Sequence, residues 1–376
     1  MSPVEVFKKL GGEFVDPPIV MPAAQPLELS GEAVRARLCV FTDSNGEECA
    51  LRPDLTLPLA LAQAEAGVTA DCVKRYSARA FRLPTVLGDP VEFTQIGFER
   101  YGAPSSADVD AESFALVCEA AATGGVRATQ VRMGDLAIFP AFVDALALAP
   151  SLAEALKRAF RQAGGVSALL SGERKPPASG LASRLKGASL AEARGIVEDI
   201  FTLSGTQMQG ARTLDEIAEG LMAQAVDAGM EDEQTPALAR QTLEAVMAVD
   251  CAPHNAADAL LAIARQAGLN GVDDALERLS RRVARMTELA PEGLEFARFG
   301  TPFGRRFNYY DGFVFELFAP GADPRRPFGA GGRYDGLIRD LSSGSARQRR
   351  DFIRTFCCRL PSKRWSKKGP GFWGRR

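Results

Sequence analysis

The stretch VEFTQIGFERYG, residues 91–102, decides the fold. Its composition is that of a β-strand, and strict alternation places Val91, Phe93, Gln95, Gly97, Glu99 and Tyr101 on one face. Gln95 and Glu99 therefore point the same way, on either side of a glycine that leaves the backbone open. A small ligand can lie there between an amide oxygen and a carboxylate, a surface suited to a cationic or amine-bearing molecule. A solvated polar face interrupted by a bulge glycine accounts for the same letters. KRYSARAFRLP, residues 74–84, is a second strand, and TVLGDP between the two is a turn of the right length to fold one back on the other.

Upstream, RLCVFTD and CALRPD form another hairpin around Asn45-Gly46, a dipeptide that accepts positive φ angles. A helix follows from Thr56, expected as its cap, to Gly67. Residues 3–10 predict a short helix stopped by Gly11 and Gly12, residues 110–125 a longer one, and RATQVRMGD (127–135) a strand. From Ser151 to Met286 the chain is rich in Ala and Leu at helical spacing. Ser151 with Glu154, Ser189 with Glu192 and Thr213 with Glu216 fit capping boxes, and residues 171–180 read as the mobile loop of this block. Strand character returns in RFNYYDGFVFELF (306–318), and the strand FVFELF needs partners that only the early segment supplies. The expected class is α+β, with an antiparallel sheet flanked by helices. Residues 1–150 and 287–341 would form the core, 151–286 a helical insertion, and 342–376 a basic tail.

The formal net charge of -2 points to neither a nucleic-acid nor a membrane partner. No apolar run is long enough to span a bilayer and the start lacks a secretory pattern, so a cytoplasmic protein is expected. Seven cysteines without a CxxC pair or a His/Cys cluster predict core thiols, with neither a disulfide framework nor a metal site. His254 reads as a neighbour of a helix cap. No cofactor is expected, because the glycines 329, 331 and 332 fit neither phosphate-loop pattern.

Three further segments carry polar groups suited to a ligand. In ALRPDLTLP, Asp54 is open between a partner for an ammonium group and a simple turn acid. GRRFNYYDGFVFEL brings Arg305, Arg306, Tyr309 and Tyr310, and GAGGRYDGL brings Arg333, Tyr334 and Asp335. Arginine beside tyrosine suits a carboxylate next to an aromatic wall, whereas paired tyrosines also serve cores and interfaces.

Together these segments resemble the class II aminoacyl-tRNA-synthetase core of the histidyl-tRNA synthetase family. LRPDLT is similar to that family's LRPEGT, EFTQIGFERYG to the second half of motif 2, RRFNYYDGFVFE to RGLDYYTxTVFE, and AGGRYDGL to its near-identical counterpart. The resemblance implies that Asp54 and Gln95 face a histidine α-amino group and that Glu99 and Tyr310 border its imidazole. It also implies that Tyr334 completes the wall and that Arg305 binds the carboxylate, with Arg306 open as the alternative register.

Departures from the family bear on function. FRLPTVLGDPVEF keeps Arg82 but lacks the glutamate and later arginines that hold ATP in the family's motif 2. No motif 3 strand is recognisable after GGRYDGL, nor is there length for an anticodon-binding domain. Synthetase-like chains of this kind, with RPDLT, resemble the regulatory subunits of ATP phosphoribosyltransferase. That resemblance implies a non-catalytic subunit that works with a short-form catalytic subunit, with histidine as effector, a homodimer within a hetero-oligomer, and no tRNA. An active histidine-tRNA ligase is the alternative. Residues 342–376 hold eleven Lys or Arg against one acid and both tryptophans. The change of composition suggests a reading-frame shift near residue 342, a real basic arm being the rival; a frame shift would leave the sheet without a core strand.

Overall fold

The computed structural model describes residues 2–30, 32–67, 70–86, 88–103, 106–162, 164–171, 187–204, 214–228, 235–304, 309–321, 326–343 and 356–361. The chain opens with α1 (Pro3–Val6), extended by a 3₁₀ turn to Leu10 and ended by Gly11 and Gly12 at positive φ. There follow β1 (Glu13–Phe14), β2 (Val20–Pro22), α2 (Ala24–Leu29), α3 (Glu32–Arg35), β3 (Cys39–Thr42), β4 (Glu48–Leu51), α4 (Thr56–Ala66), β5 (Cys72–Phe81) and β6 (Glu92–Tyr101). Next come α5 (Ser106–Thr123), β7 (Gln130–Asp135), α6 (Ile138–Ala145), α7 (Pro150–Phe160), α8 (Gly165–Ser171), α9 (Leu190–Ser204), α10 (Leu214–Ala228) and α11 (Ala237–Met247). The chain continues through β8 (Asp250–Cys251), α12 (Pro253–Gln266), α13 (Asp273–Leu289), α14 (Pro291–Leu294), β9 (Ala297–Gly300), β10 (Phe313–Phe318), β11 (Gly329–Arg333), α15 (Asp335–Ser343) and β12 (Phe356–Pro361).

Nine of these strands form one sheet in the order β1-β5-β6-β12-β11-β10-β7-β9-β8, antiparallel except at the β1–β5 and β7–β9 joins. β2, β4 and β3 make a separate three-stranded sheet around the Asn45-Gly46 turn. Both expected hairpins are present. The late strand β10 finds β7 as its early partner, as the apolar run FVFELF requires. The gap expected after β11 is absent, however: β12 runs between β11 and β6 and pairs with both. Its alternation is too short, and its flanks too basic, for the strand to stand out in the sequence.

α1, α5 and α13 cover one face of the large sheet, where Phe7 packs on Phe98 (5.3 Å between ring centroids) and Phe114 meets Phe315 edge-on at 5.1 Å. Residues 151–286 contribute to two cores. Leu152, Leu156, Phe160, Leu243, Leu260, Leu279 and Met286 belong to the core of the sheet, whereas Ala193, Val197 and Ala218 form a small core of their own between α9 and α10.

The capping expectations divide. Ser189 and Glu192 form the predicted box, with the Ser189 amide on the Glu192 carboxylate at 2.7 Å. Ser151 lies inside α7, whose first residue is Pro150, because proline is favoured in the first turn. Ser171, the first residue of the expected loop, closes α8, and Ser342 and Ser343 of the expected tail close α15; Thr213, residues 172–180, and the tail residues 344–355 and 362–376 lie outside the described residues. Among the described residues no helix is long and apolar enough to cross a membrane, and no group of His, Cys, Asp or Glu could hold a metal ion.

Candidate functional site

The site is built on the β5–β6 hairpin. Register sets Gly97 opposite Tyr76, so the phenol stands where β6 has no side chain, between Gln95 and Glu99. Gln95 Nε2 donates to the Tyr76 hydroxyl at 3.2 Å, and that hydroxyl donates to Glu99 Oε1 at 3.2 Å. The Thr56 hydroxyl donates to the same oxygen at 3.0 Å, and the Tyr334 hydroxyl donates to Glu99 Oε2. All five side chains are buried. Removing a carboxylate from water is unfavourable unless donors replace the solvent, and here three hydroxyls do so. Gln95 Oε1 is buried with no hydrogen-bond partner among the described residues.

Thr56, expected as a helix cap, has another task. Leu55 occupies the cap position of α4, and the Thr56 hydroxyl turns toward Glu99. Asp54 supports the helix start instead, its Oδ1 accepting the Leu57 amide at 3.1 Å. Its Oδ2 lies 3.7 Å from Arg82 Nη2. Arg82 itself donates from Nε to the Pro53 carbonyl at 2.7 Å, and its guanidinium lies over the Phe93 ring at 5.4 Å.

Tyr310, just before β10, and Tyr334, just after β11, supply the aromatic wall. Tyr309 joins them, its ring 4.8 Å from Tyr310 and 5.9 Å from Tyr334 between centroids. Gly332 makes this packing possible, since a Cβ there would stand 2.6 Å from the Tyr310 ring. Arg333, one of the arginines weighed for a carboxylate, points elsewhere. Its guanidinium pairs with Asp110 at 2.6 Å and Asp335 at 3.1 Å.

Of the six residues singled out from sequence, the structure joins Glu99 directly to Tyr334, and Gln95 to Glu99 through Tyr76. Asp54 stands two residues before Thr56, and Tyr310 reaches the cluster through its ring contacts. Arg305 and Arg306 lie outside the described residues. Sequence reasoning missed Thr56 and Tyr76 as members. The hairpin register could have found Tyr76, since it is the residue opposite the open glycine.

The model of the family described as histidyl-tRNA synthetase matches residues 2–194 and 185–349. The ATP phosphoribosyltransferase regulatory subunit of Mesorhizobium japonicum is 31% identical over 350 residues, covering 88% of each chain, and that of Agrobacterium fabrum is 30% identical with 86% of each covered. Among solved structures, an ATP phosphoribosyltransferase regulatory subunit/histidyl-tRNA synthetase from Bacillus halodurans superposes with a TM-score of 0.61 at 16% identity, covering 96% of this chain and 76% of that one. Histidyl-tRNA synthetase from Nostoc sp. PCC 7120 gives 0.58 at 15% identity, covering 96% of this chain and 68% of that one. At such identities these two establish the class II fold alone.

Proposed function

Because the chain belongs to the family of ATP phosphoribosyltransferase regulatory subunits, of histidyl-tRNA-synthetase type, we propose that it serves a short-form catalytic subunit and carries the histidine sensor of the complex. Its place is histidine biosynthesis, and the transfer of the phosphoribosyl group belongs to the partner. One observation carries the sensor reading: Glu99, buried under three hydroxyl donors beside Gln95 and an aromatic wall. A buried carboxylate next to tyrosines suits a flat, N–H-bearing cation such as imidazolium, while Gln95 Oε1, with the Asp54 carboxylate on the neighbouring element, would accept from an ammonium group. Arg305, or Arg306 in the alternative register, would take the carboxylate.

The mechanism is linkage. Histidine that binds one state of the complex more tightly stabilises that state, and the catalytic partner responds by the same coupling free energy. A homodimer within a hetero-oligomer, in the cytoplasm and without tRNA, completes the proposal. The ligase alternative requires a polyphosphate grip. Arg82, the motif 2 arginine retained here, is already engaged by Pro53, Asp54 and Phe93. Histidine-dependent exchange of pyrophosphate into ATP by the purified chain separates the two readings. No exchange above background is expected, and sustained exchange would make the chain a ligase.

A further inference from the structure

Arg161 occupies the C-cap of α7, in a segment (AFRQAGG) without any recognisable motif. It nevertheless reaches the pocket wall. Its Nη1 donates to the main-chain carbonyl of Tyr310, some 150 residues away in sequence and between two loops. The next residue, Asp311, turns its carboxylate onto the start of α15: Oδ1 accepts the Asp335 amide at 3.1 Å and Oδ2 the Gly336 amide at 2.5 Å. Asp311 also donates its own amide to the Arg333 carbonyl at 3.0 Å. α15 packs against α4, which begins with Thr56. A connected path thus runs from α7 through Tyr310 and Asp311 to α15, α4 and the Thr56–Glu99 bond.

The electrostatics follow the geometry. Burial raises the Asp311 carboxyl to about 6; the Gly336 and Asp335 amides and Arg161 pull it down, while the Asp335 carboxylate pushes it up. Arg161 is itself pushed down by burial and back up by Asp311. The charged groups facing Asp311 are Arg161 from α7 and Asp335 from α15, the latter already paired with Arg333.

We propose that Arg161 is a positioning residue for the pocket, holding the Tyr310–Asp311 corner so that ligand occupancy and the placement of α7 depend on each other. It touches no ligand. It fixes the backbone from which Tyr310 projects and supplies the positive charge opposite the carboxylate that fastens α15. Because α7 packs against α6 and α8, this corner gives pocket occupancy a route to the neighbouring helices. The inference rests on the reading of the pocket as a histidine site.

The test compares L-histidine affinity of the full-length chain, by calorimetry between pH 5.5 and 8.5, with that of R161Q and R161K. Histidine's own titration is common to all three and cancels in the affinity ratios. Loss of the hydrogen bond alone predicts weakening of roughly five- to tenfold at pH 8.5. Loss of the charge moves Asp311 further up, so the ratio of wild type to R161Q should grow as pH falls from about 8 to about 6.5, where only the wild-type carboxylate is still largely ionised. R161K should keep the weakening and abolish its pH dependence. A ratio for R161Q independent of pH, or unchanged affinity, would overturn the inference, and so would R161K behaving as R161Q does. Failure of the wild-type chain to bind histidine at any pH would instead remove the sensor reading, and this inference with it. Should R161Q not fold, R161K decides alone: weakening by the same factor at every pH supports the inference, and unchanged affinity, or weakening that grows as pH falls, overturns it.

Discussion

Glu99 is the residue on which the site turns. Its two oxygens gather hydroxyls from α4, β5 and the end of β11, so one carboxylate ties together three separate parts of the chain. Glu99→Gln keeps size and shape but removes the charge, and an amide NH₂ then meets hydroxyls that had been donating. Histidine affinity should fall by roughly 10- to 100-fold, in line with about 1.5–3 kcal/mol for a hydrogen bond to a charged group, while far-UV circular dichroism stays unchanged. Asp311 gives a pH prediction. Its folded carboxyl is raised to about 6 by burial, against an unfolded value of about 3.9. The associated stability is therefore fully present below about pH 4 and is lost as pH rises through about 6. The urea midpoint of wild type relative to Asp311→Asn should fall over that window, and parallel pH profiles of the two proteins would contradict the assignment.

At the scale of elements, Gly332 in β11 shows how closely strand and wall are fitted. Gly332→Ala places a methyl into the Tyr310 ring, which must shift, and overpacking of this kind costs about 1–3 kcal/mol. A lowered melting temperature together with weakened histidine binding is expected, whereas a shift in neither would show that the ring yields freely. Alternation and the Asn45-Gly46 turn made β3 to β6 legible from letters, because each depends only on neighbours in sequence. β12 was not legible. It is fixed by a slot between β6 and β11, a long-range condition that six residues do not announce. Gln95 and Glu99 were found by alternation within one strand. Thr56 was read as a cap because sequence shows a helix start but not the carboxylate 43 residues onward that takes its hydroxyl.

At the scale of the molecule, a buried charge cluster fastens the helices to the sheet. Asp110 on α5 pairs with Arg282 on α13 at 2.8 Å and with Arg333 at the end of β11 at 2.6 Å, while Arg282 also holds Asp135 of β7 at 2.7 Å. Asp110→Asn leaves two buried guanidinium groups with one strong partner fewer, at a cost of about 3–5 kcal/mol. That is a large share of the 5–15 kcal/mol typical of a folded domain, so the urea midpoint should drop sharply. A drop of less than about 1 kcal/mol would mean that water reaches the cluster. The same frame carries Tyr334 next to Arg333, and the proposed sensor would need such a frame to pass occupancy on. The most direct measurement is the rate at which a short-form catalytic subunit condenses ATP with phosphoribosyl pyrophosphate, with and without the full chain, as histidine is titrated. Activity that rises on adding the chain, and that histidine then suppresses in the wild-type complex but not with Glu99→Gln, is the predicted result. A rate indifferent to the chain, or histidine inhibition that persists unchanged with Glu99→Gln, would contradict it.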